Sequence, residues 1–131
     1  MKTLCIDSTL IIDFLNGKPE AIKQLQKLKE CNILSTTTIN VFEVTFGLLR
    51  KRDKRVDAVA ERFFSSCPTF NLDFAAAKKA AAIAVELAEK GTMINELDAL
   101  IAGAMLVNGS TTIATANIKN FQRISEIKIC S

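Results

Sequence analysis

The chain reads as an α/β protein, a three-layer α/β/α sandwich around a central, mostly parallel sheet of about five strands. Two observations carry that expectation. Short apolar runs alternate with longer segments of helical periodicity, the pattern of a parallel sheet covered on both faces. The chain also contains no repeat, no low-complexity tract and no linker. With 131 residues, 49% of them hydrophobic and 24% charged, it can build a core without disulfide or zinc staples. A single domain over 1–131 is expected.

The elements follow in order. Leu4 to Asp7 forms a short buried strand, and Ser8-Thr9 can cap the helix after it. Leu10, Ile11, Phe14 and Leu15 give that helix one apolar face, and Asn16-Gly17 ends it. Pro19 suits the first turn of a second helix, with Ile22, Leu25 and Leu28 at three-residue spacing. Asn32 to Ser35 is a second strand, and Thr36-Thr37-Thr38 offers a cap for a long helix through Glu43 to about Arg50. A helix over Val56 to Phe64 is followed by the breaker Pro68, and Thr69 to Leu72 is a third strand. Asp73 can cap an alanine-rich helix that stops at Gly91, whose small residues allow close packing on a neighbour. Glu96 to Val107 is one more helix, ended by Asn108-Gly109. Thr111 to Thr115 and Ile127 to Cys130 are the last strands, with a helical turn from Ile118 to Phe121 between them.

Several function classes drop out on composition. No apolar run approaches the roughly 18 residues of a membrane span, so no membrane partner is expected. The N-terminus reaches Asp7 too early for a secretory core, which makes the cytoplasm the expected location. Cys5, Cys31, Cys67 and Cys130 contain no C-x-x-C pair, and there is no histidine to complete a zinc site. They read as reduced, buried, small apolar side chains. Cys5 and Cys130 both fall in expected strands, but nothing in the sequence requires a disulfide between them.

Three carboxylates interrupt apolar sequence: Asp7 at the end of the first strand, Glu43 in Val41-Phe42-Glu43-Val44, and Asp98 in Leu97-Asp98-Ala99. Burying charge is costly without a partner, and a shared divalent cation satisfies all three. In open parallel sheets, ligands gather beyond the carboxyl ends of the strands. Asp7, Glu43 and Asp98 all fall near that edge, as does Asn117 after the Thr111–Thr115 strand. Oxygen-only ligands favour Mg2+ or Mn2+, ions that activate water for in-line attack on phosphorus. Each residue also has a plainer role. Asp7 can cap the first helix, Glu43 can pair with Arg50 or Lys51 on its own helix, and Asp13 reads as solvent-facing. Glu96 points away from Asp98, because i and i+2 diverge on a helix.

These residues carry a resemblance to a known family. Ile6-Asp7-Ser8-Thr9-Leu10-Ile11-Ile12-Asp13, Phe42-Glu43-Val44-Thr45-Phe46-Gly47, Leu97-Asp98-Ala99-Leu100-Ile101-Ala102-Gly103-Ala104 and Thr115-Ala116-Asn117-Ile118-Lys119-Asn120-Phe121 occur in that order and spacing. The chain resembles the PIN-domain ribonucleases, and within them the VapC toxins of prokaryotic toxin–antitoxin pairs. The resemblance implies a PIN-like fold and a metal-dependent endoribonuclease that hydrolyses RNA phosphodiester bonds. It implies Asp7, Glu43 and Asp98 as ligands of Mg2+ or Mn2+, with Thr115 and Asn117 at the rim of the catalytic site. It also implies a homodimer and a cognate antitoxin, for which Phe42, Phe46, Leu49, Phe63 and Phe64 can line a groove, although core packing suits most of them. The chain departs from the family at Asn117, where many relatives carry a fourth acidic residue, and Asn120 also lacks the carboxylate often found there. One well-held metal is therefore expected.

Arg50-Lys51-Arg52-Asp53-Lys54-Arg55 places five positive charges in six positions within a net charge of +3. A solvated helix end explains such a run, because cations favour the C-terminal dipole. After the resemblance, Arg50, Lys51, Arg52, Lys54 and Arg55 read as RNA phosphate contacts. Most of the phenylalanines fall at core-like spacing, and no stacking platform is evident. The alternative function is a catalytically inactive PIN-like RNA- or protein-binding module, which Asn117 favours. A phosphoacceptor receiver fails, because Asp73 lacks the matching lysine context. A haloacid-dehalogenase-type phosphatase fails, because Thr9 stands where its second Asp belongs.

Overall fold

β1 (Lys2–Ile6) is the middle strand of a five-stranded sheet with order β3-β2-β1-β4-β5. Its position follows from its side chains: Leu4, Cys5 and Ile6 are each 0% exposed, as only a strand covered on both faces can be. The computed structural model describes residues 1–130; Ser131, the last residue of the expected domain, lies outside the described residues. Beside β1 lie β2 (Asn32–Thr37) and β4 (Thr112–Ala114), with β3 (Thr69–Phe70) and β5 (Lys128–Ile129) at the edges. Every pairing is parallel, with Leu4 opposite both Leu34 and Thr112. "Mostly parallel" thus becomes wholly parallel among the described residues.

The helices are α1 (Ser8–Leu15), α2 (Pro19–Cys31), α3 (Thr38–Lys51), α4 (Lys54–Ser66), α5 (Phe74–Glu89), α6 (Glu96–Val107) and the short α7 (Ile118–Phe121). Strand pleating divides the core in two. Leu4 and Ile6 join Leu10, Ile11, Leu25 and Phe63 from α1, α2 and α4 on one face. Cys5 joins Ile83, Ile101, Met105 and Phe121 from α5, α6 and α7 on the other. α3 bridges the layers, giving Ile39 to the second cluster and Val44 to the first. The small residues of α5 meet Gly103 of α6, where an added Cβ would lie 2.4 Å from the Ala76 carbonyl oxygen.

Four expectations need correction. Asp7, rather than Ser8 or Thr9, caps α1, accepting the Ser8 N–H at 2.8 Å. β3 ends at Phe70, because the Leu72 N–H turns aside to the Thr38 hydroxyl at 3.1 Å. Cys31, at the end of α2, is exposed rather than buried. All four thiols are free, and Cys5 and Cys130 pack into clusters on opposite faces of the sheet. The phenylalanines do not all point inward: Phe42, Phe46 and Phe74 are exposed, whereas Phe63 is buried.

Candidate functional site

The strand order reverses at β1, with β2 and β3 on one side and β4 and β5 on the other. Such a switch point opens a crevice beyond the carboxyl ends of the strands. Asp7 stands at its mouth, directly after β1, and its N–H donates to the Ala114 carbonyl of β4 at 3.0 Å. A polar cleft of about 240 Å³ lies there, lined by Asp7, Ser8, Thr9, Glu43, Asn95, Asp98, Asn117 and Asn120. The three carboxylates singled out in the sequence thus share one cleft, delivered by a strand end, α3 and the first turn of α6.

Each carboxylate is gripped by neutral donors. Asp7 Oδ1 accepts the Ser8 N–H at 2.8 Å and the Asn40 side-chain amide at 3.0 Å, and its Oδ2 accepts the Thr115 hydroxyl at 2.5 Å. Asp7 therefore caps α1 and lines the cleft together, so its two readings are not alternatives. Glu43 Oε1 accepts the Ser8 hydroxyl at 2.6 Å. Asp98 Oδ2 accepts the amides of Asn117 at 2.6 Å and Asn120 at 2.9 Å. The Thr115 hydroxyl also accepts the Asn117 N–H at 2.9 Å, which joins the two residues.

Electrostatics make the site expectant of positive charge. Glu43 is pushed above the ordinary glutamate range, first by burial and then by the charges of Asp7 and Asp98, against the opposing Ser8 bond. Asp98 is pushed up by burial first and then by Asp7, while the amides of Asn120 and Asn117 pull it down. Among the described residues no ion pair involves Asp7, Glu43 or Asp98. The expected alternative for Glu43, a pair with Arg50 or Lys51, is absent there. Among the described residues no group of three Asp, Glu, Cys or His side chains has the geometry of a metal site as it stands. The donor set nonetheless fits a hard divalent cation: carboxylate oxygens, uncompensated charge, and one oxygen each of Glu43 and Asp98 left over from the bonds above.

Some participants carry little signal in the sequence. Asn40 is 0% exposed and bonds to Asp7 and Ser8. Its one signal is its place a helical turn before Glu43, on the same face. Asn120 stands out in the sequence only for lacking a carboxylate, yet it holds Asp98. Ser8 reads there as a cap, but its hydroxyl serves Glu43. Asn95 and Thr9 join the lining, whereas Glu96 is exposed and outside it. Asp13 stands apart in a surface pair with Lys18 at 3.1 Å.

The basic run spans a junction, which corrects its reading as a helix end. Arg50 and Lys51 occupy the last turn of α3, where the dipole favours them. Arg52 takes a left-handed conformation (φ 55°), and Asp53 caps α4. Lys54 and Arg55 then sit at the positive end of α4, where the helix dipole opposes them. Arg55 is paired there with the capping Asp53, Nε to Oδ1 at 3.5 Å.

Comparison with known proteins places the fold. The family model for the PIN domain matches residues 4–127. The tRNA(fMet)-specific endonuclease VapC of Salmonella typhimurium is 30% identical over 130 residues, covering 98% of this chain and 97% of that protein. The fold also matches the crystal structure of DNA-bound VapBC from Salmonella typhimurium, at 29% identity and a TM-score of 0.82, covering 99% of this chain and 98% of the other. VapBC2 from Rickettsia felis, solved with a promoter DNA fragment, shares the fold at a TM-score of 0.84 with 22% identity, over 98% and 97% of the two chains.

Proposed function

The chain belongs to the PIN-domain family, and from that membership we propose that it is a metal-dependent endoribonuclease, the toxin of a VapBC-type toxin–antitoxin system. The observation that carries the reading is the cleft itself. Asp7, Glu43 and Asp98 line one crevice, and no ion pair engages them among the described residues.

Asp7, Glu43 and Asp98 would hold one Mg2+ or Mn2+, which when bound would supply positive charge at the phosphodiester oxygens and a more acidic water. Thr115 steadies Asp7 through its hydroxyl, and the amides of Asn117 and Asn120 steady Asp98. An amide at 117 adds no negative charge, so the site carries three carboxylates and would hold a single cation. Arg50, Lys51, Arg52, Lys54 and Arg55 contact RNA phosphates. Transfer RNA is the first substrate to test, given the name of the Salmonella relative.

The protein acts in the cytoplasm as a homodimer of one-domain chains and is neutralised by a cognate antitoxin. Phe42, Phe46 and Leu49 remain as the antitoxin-facing apolar strip, being exposed on α3, while Phe63 belongs to the core. The Phe42 and Phe46 rings lie 6.0 Å apart, and the Arg50 guanidinium sits 5.8 Å from the Phe46 ring.

The test is cleavage of a transfer-RNA pool and of single-stranded RNA by EDTA-stripped protein, with Mg2+ or Mn2+ added back. The Asp7→Asn/Asp98→Asn variant is run beside it. Asn caps a helix about as well as Asp, so the substitution at Asp7 removes charge and spares α1. Metal-dependent cleavage by the wild type and none by the variant is the expected result. No cleavage together with no metal binding by calorimetry makes the protein an inactive binding module.

A further inference from the structure

Asn40 is 0% exposed, as is its neighbour Thr37, and it does not itself line the cleft. A buried amide must be satisfied at both ends, and here its partners come from β2 and from α1 with its cap. Its Oδ1 accepts the Thr37 hydroxyl at 2.7 Å, and its own N–H donates back to Thr37 Oγ1 at 3.2 Å. That reciprocal pair leaves the amide no freedom to rotate. Its Nδ2 then donates to Asp7 Oδ1 at 3.0 Å and to Ser8 Oγ at 2.9 Å. Ser8, with its lone pair engaged by Asn40, turns its proton to Glu43 Oε1 at 2.6 Å.

We propose that Asn40 is a positioning residue: anchored by Thr37, its amide sets Asp7 directly and Glu43 through Ser8, so that carboxylates from a strand end and a helix face one cation. This rests on the metal-dependent reading above. The physical reason lies in the charges. Asp7 and Glu43 repel one another in the metal-free protein, and neutral donors bonded to their inner oxygens hold both near the cleft against that repulsion. Asn40 suits the task because one amide nitrogen offers two protons, one for each branch. A hydroxyl offers one, and a lysine would add the charge the metal is meant to bring.

The experiment measures Mn2+ affinity by calorimetry for wild type, Asn40→Ala and Ser8→Ala, with thermal melts in EDTA and cleavage kinetics alongside. Outer partners of this kind typically govern about 10–100-fold in metal affinity. Asn40→Ala is expected to weaken Mn2+ binding to that degree while fully folded, and Ser8→Ala, which cuts only the Glu43 branch, to weaken it less. Excess Mn2+ should restore much of the lost kcat with little change in KM. A purely structural Asn40 would lower the melting temperature in EDTA and leave the Mn2+ affinity of the folded protein unchanged, which overturns the proposal. If Asn40→Ala does not fold, Ser8→Ala decides, and unchanged affinity there sinks the relay. Failure of the wild type to bind Mn2+ or cleave RNA instead removes the nuclease reading, so the two failures are distinguishable.

Discussion

Replacing Gly103 by alanine should force apart α5 and α6, which with α7 cover one face of the sheet, and should disturb the cleft through Asp98. A Cβ at position 103 would lie 2.4 Å from the Ala76 carbonyl oxygen and 2.8 Å from both the nitrogen and the Cβ of Ala80, where ordinary contact is 3.4–4 Å. Two of these three atoms are backbone, so no rotamer change relieves the clash. α5 must retreat by about 1 Å at that point to restore contact distance. Alanine's helix propensity returns about 1 kcal/mol relative to glycine, while overpacking costs about 1–3 kcal/mol. A backbone clash this short belongs at the upper end, which leaves a net loss of about 2 kcal/mol. For a chain of this size that lowers Tm by roughly 6–10 °C. Asp98 lies in the first turn of the same helix, so a shift of α6 as a body carries it along, and misplacing a reacting group by about 1 Å can cost about 10²-fold in rate. Circular-dichroism melts in EDTA give the first number, and cleavage rates well below both melting temperatures give the second. An equal or higher Tm would refute the close approach of α5 and α6. A lower Tm with an unchanged rate would show that α6 packing does not set the position of Asp98.

Glu43→Gln should stabilise the metal-free protein at neutral pH. Burial and the neighbouring carboxylates hold Glu43 above its ordinary range, so its favourable contribution is complete below the unfolded value and disappears as pH rises through the folded one. Gln escapes that loss and still accepts the Ser8 hydroxyl, so its advantage should be largest near pH ~7 and vanish near pH ~4. Melts in EDTA across that range check it, and a lower Tm for Gln at neutral pH would contradict the sign. Neutralising Arg52, Lys54 and Arg55 together should weaken RNA binding across sequences, measured in EDTA. The slope of log K against log salt should fall by about 0.7 for each phosphate that no longer meets a cation. An unchanged slope would return the run to a merely solvated junction.

Helix and strand positions are legible in the sequence where local chemistry decides them. Asp73 caps α5, Gly91 follows its end at φ 72°, and α6 runs from Glu96 to Val107, all as the residues indicate. The three carboxylates are legible for a related reason: charge inside apolar sequence is expensive, so each advertises itself. The donors that hold them do not. Asn120 looks like a missing carboxylate and Asn40 like an ordinary helical residue, because a neutral amide breaks no local rule. Phe42 and Phe46 have core-like spacing yet lie exposed, because α3 bridges two cores and its apolar residues exceed what those cores cover.

By itself, then, the sequence determined the α/β class, the order of elements and the carboxylates at one edge of the sheet. These depend on spacing along the chain: period two or 3.6, a cap, a turn, a charge in an apolar run. Only the tertiary structure decided that the strand order reverses at β1, that Asp7 both caps and lines the cleft, and that Asn40, Ser8, Asn117 and Asn120 hold its corners. Those bonds join residues as far apart as Asp7 and Thr115. Their partners are chosen by how the layers pack, and a hydrogen bond across 108 positions leaves no mark on the residues beside it.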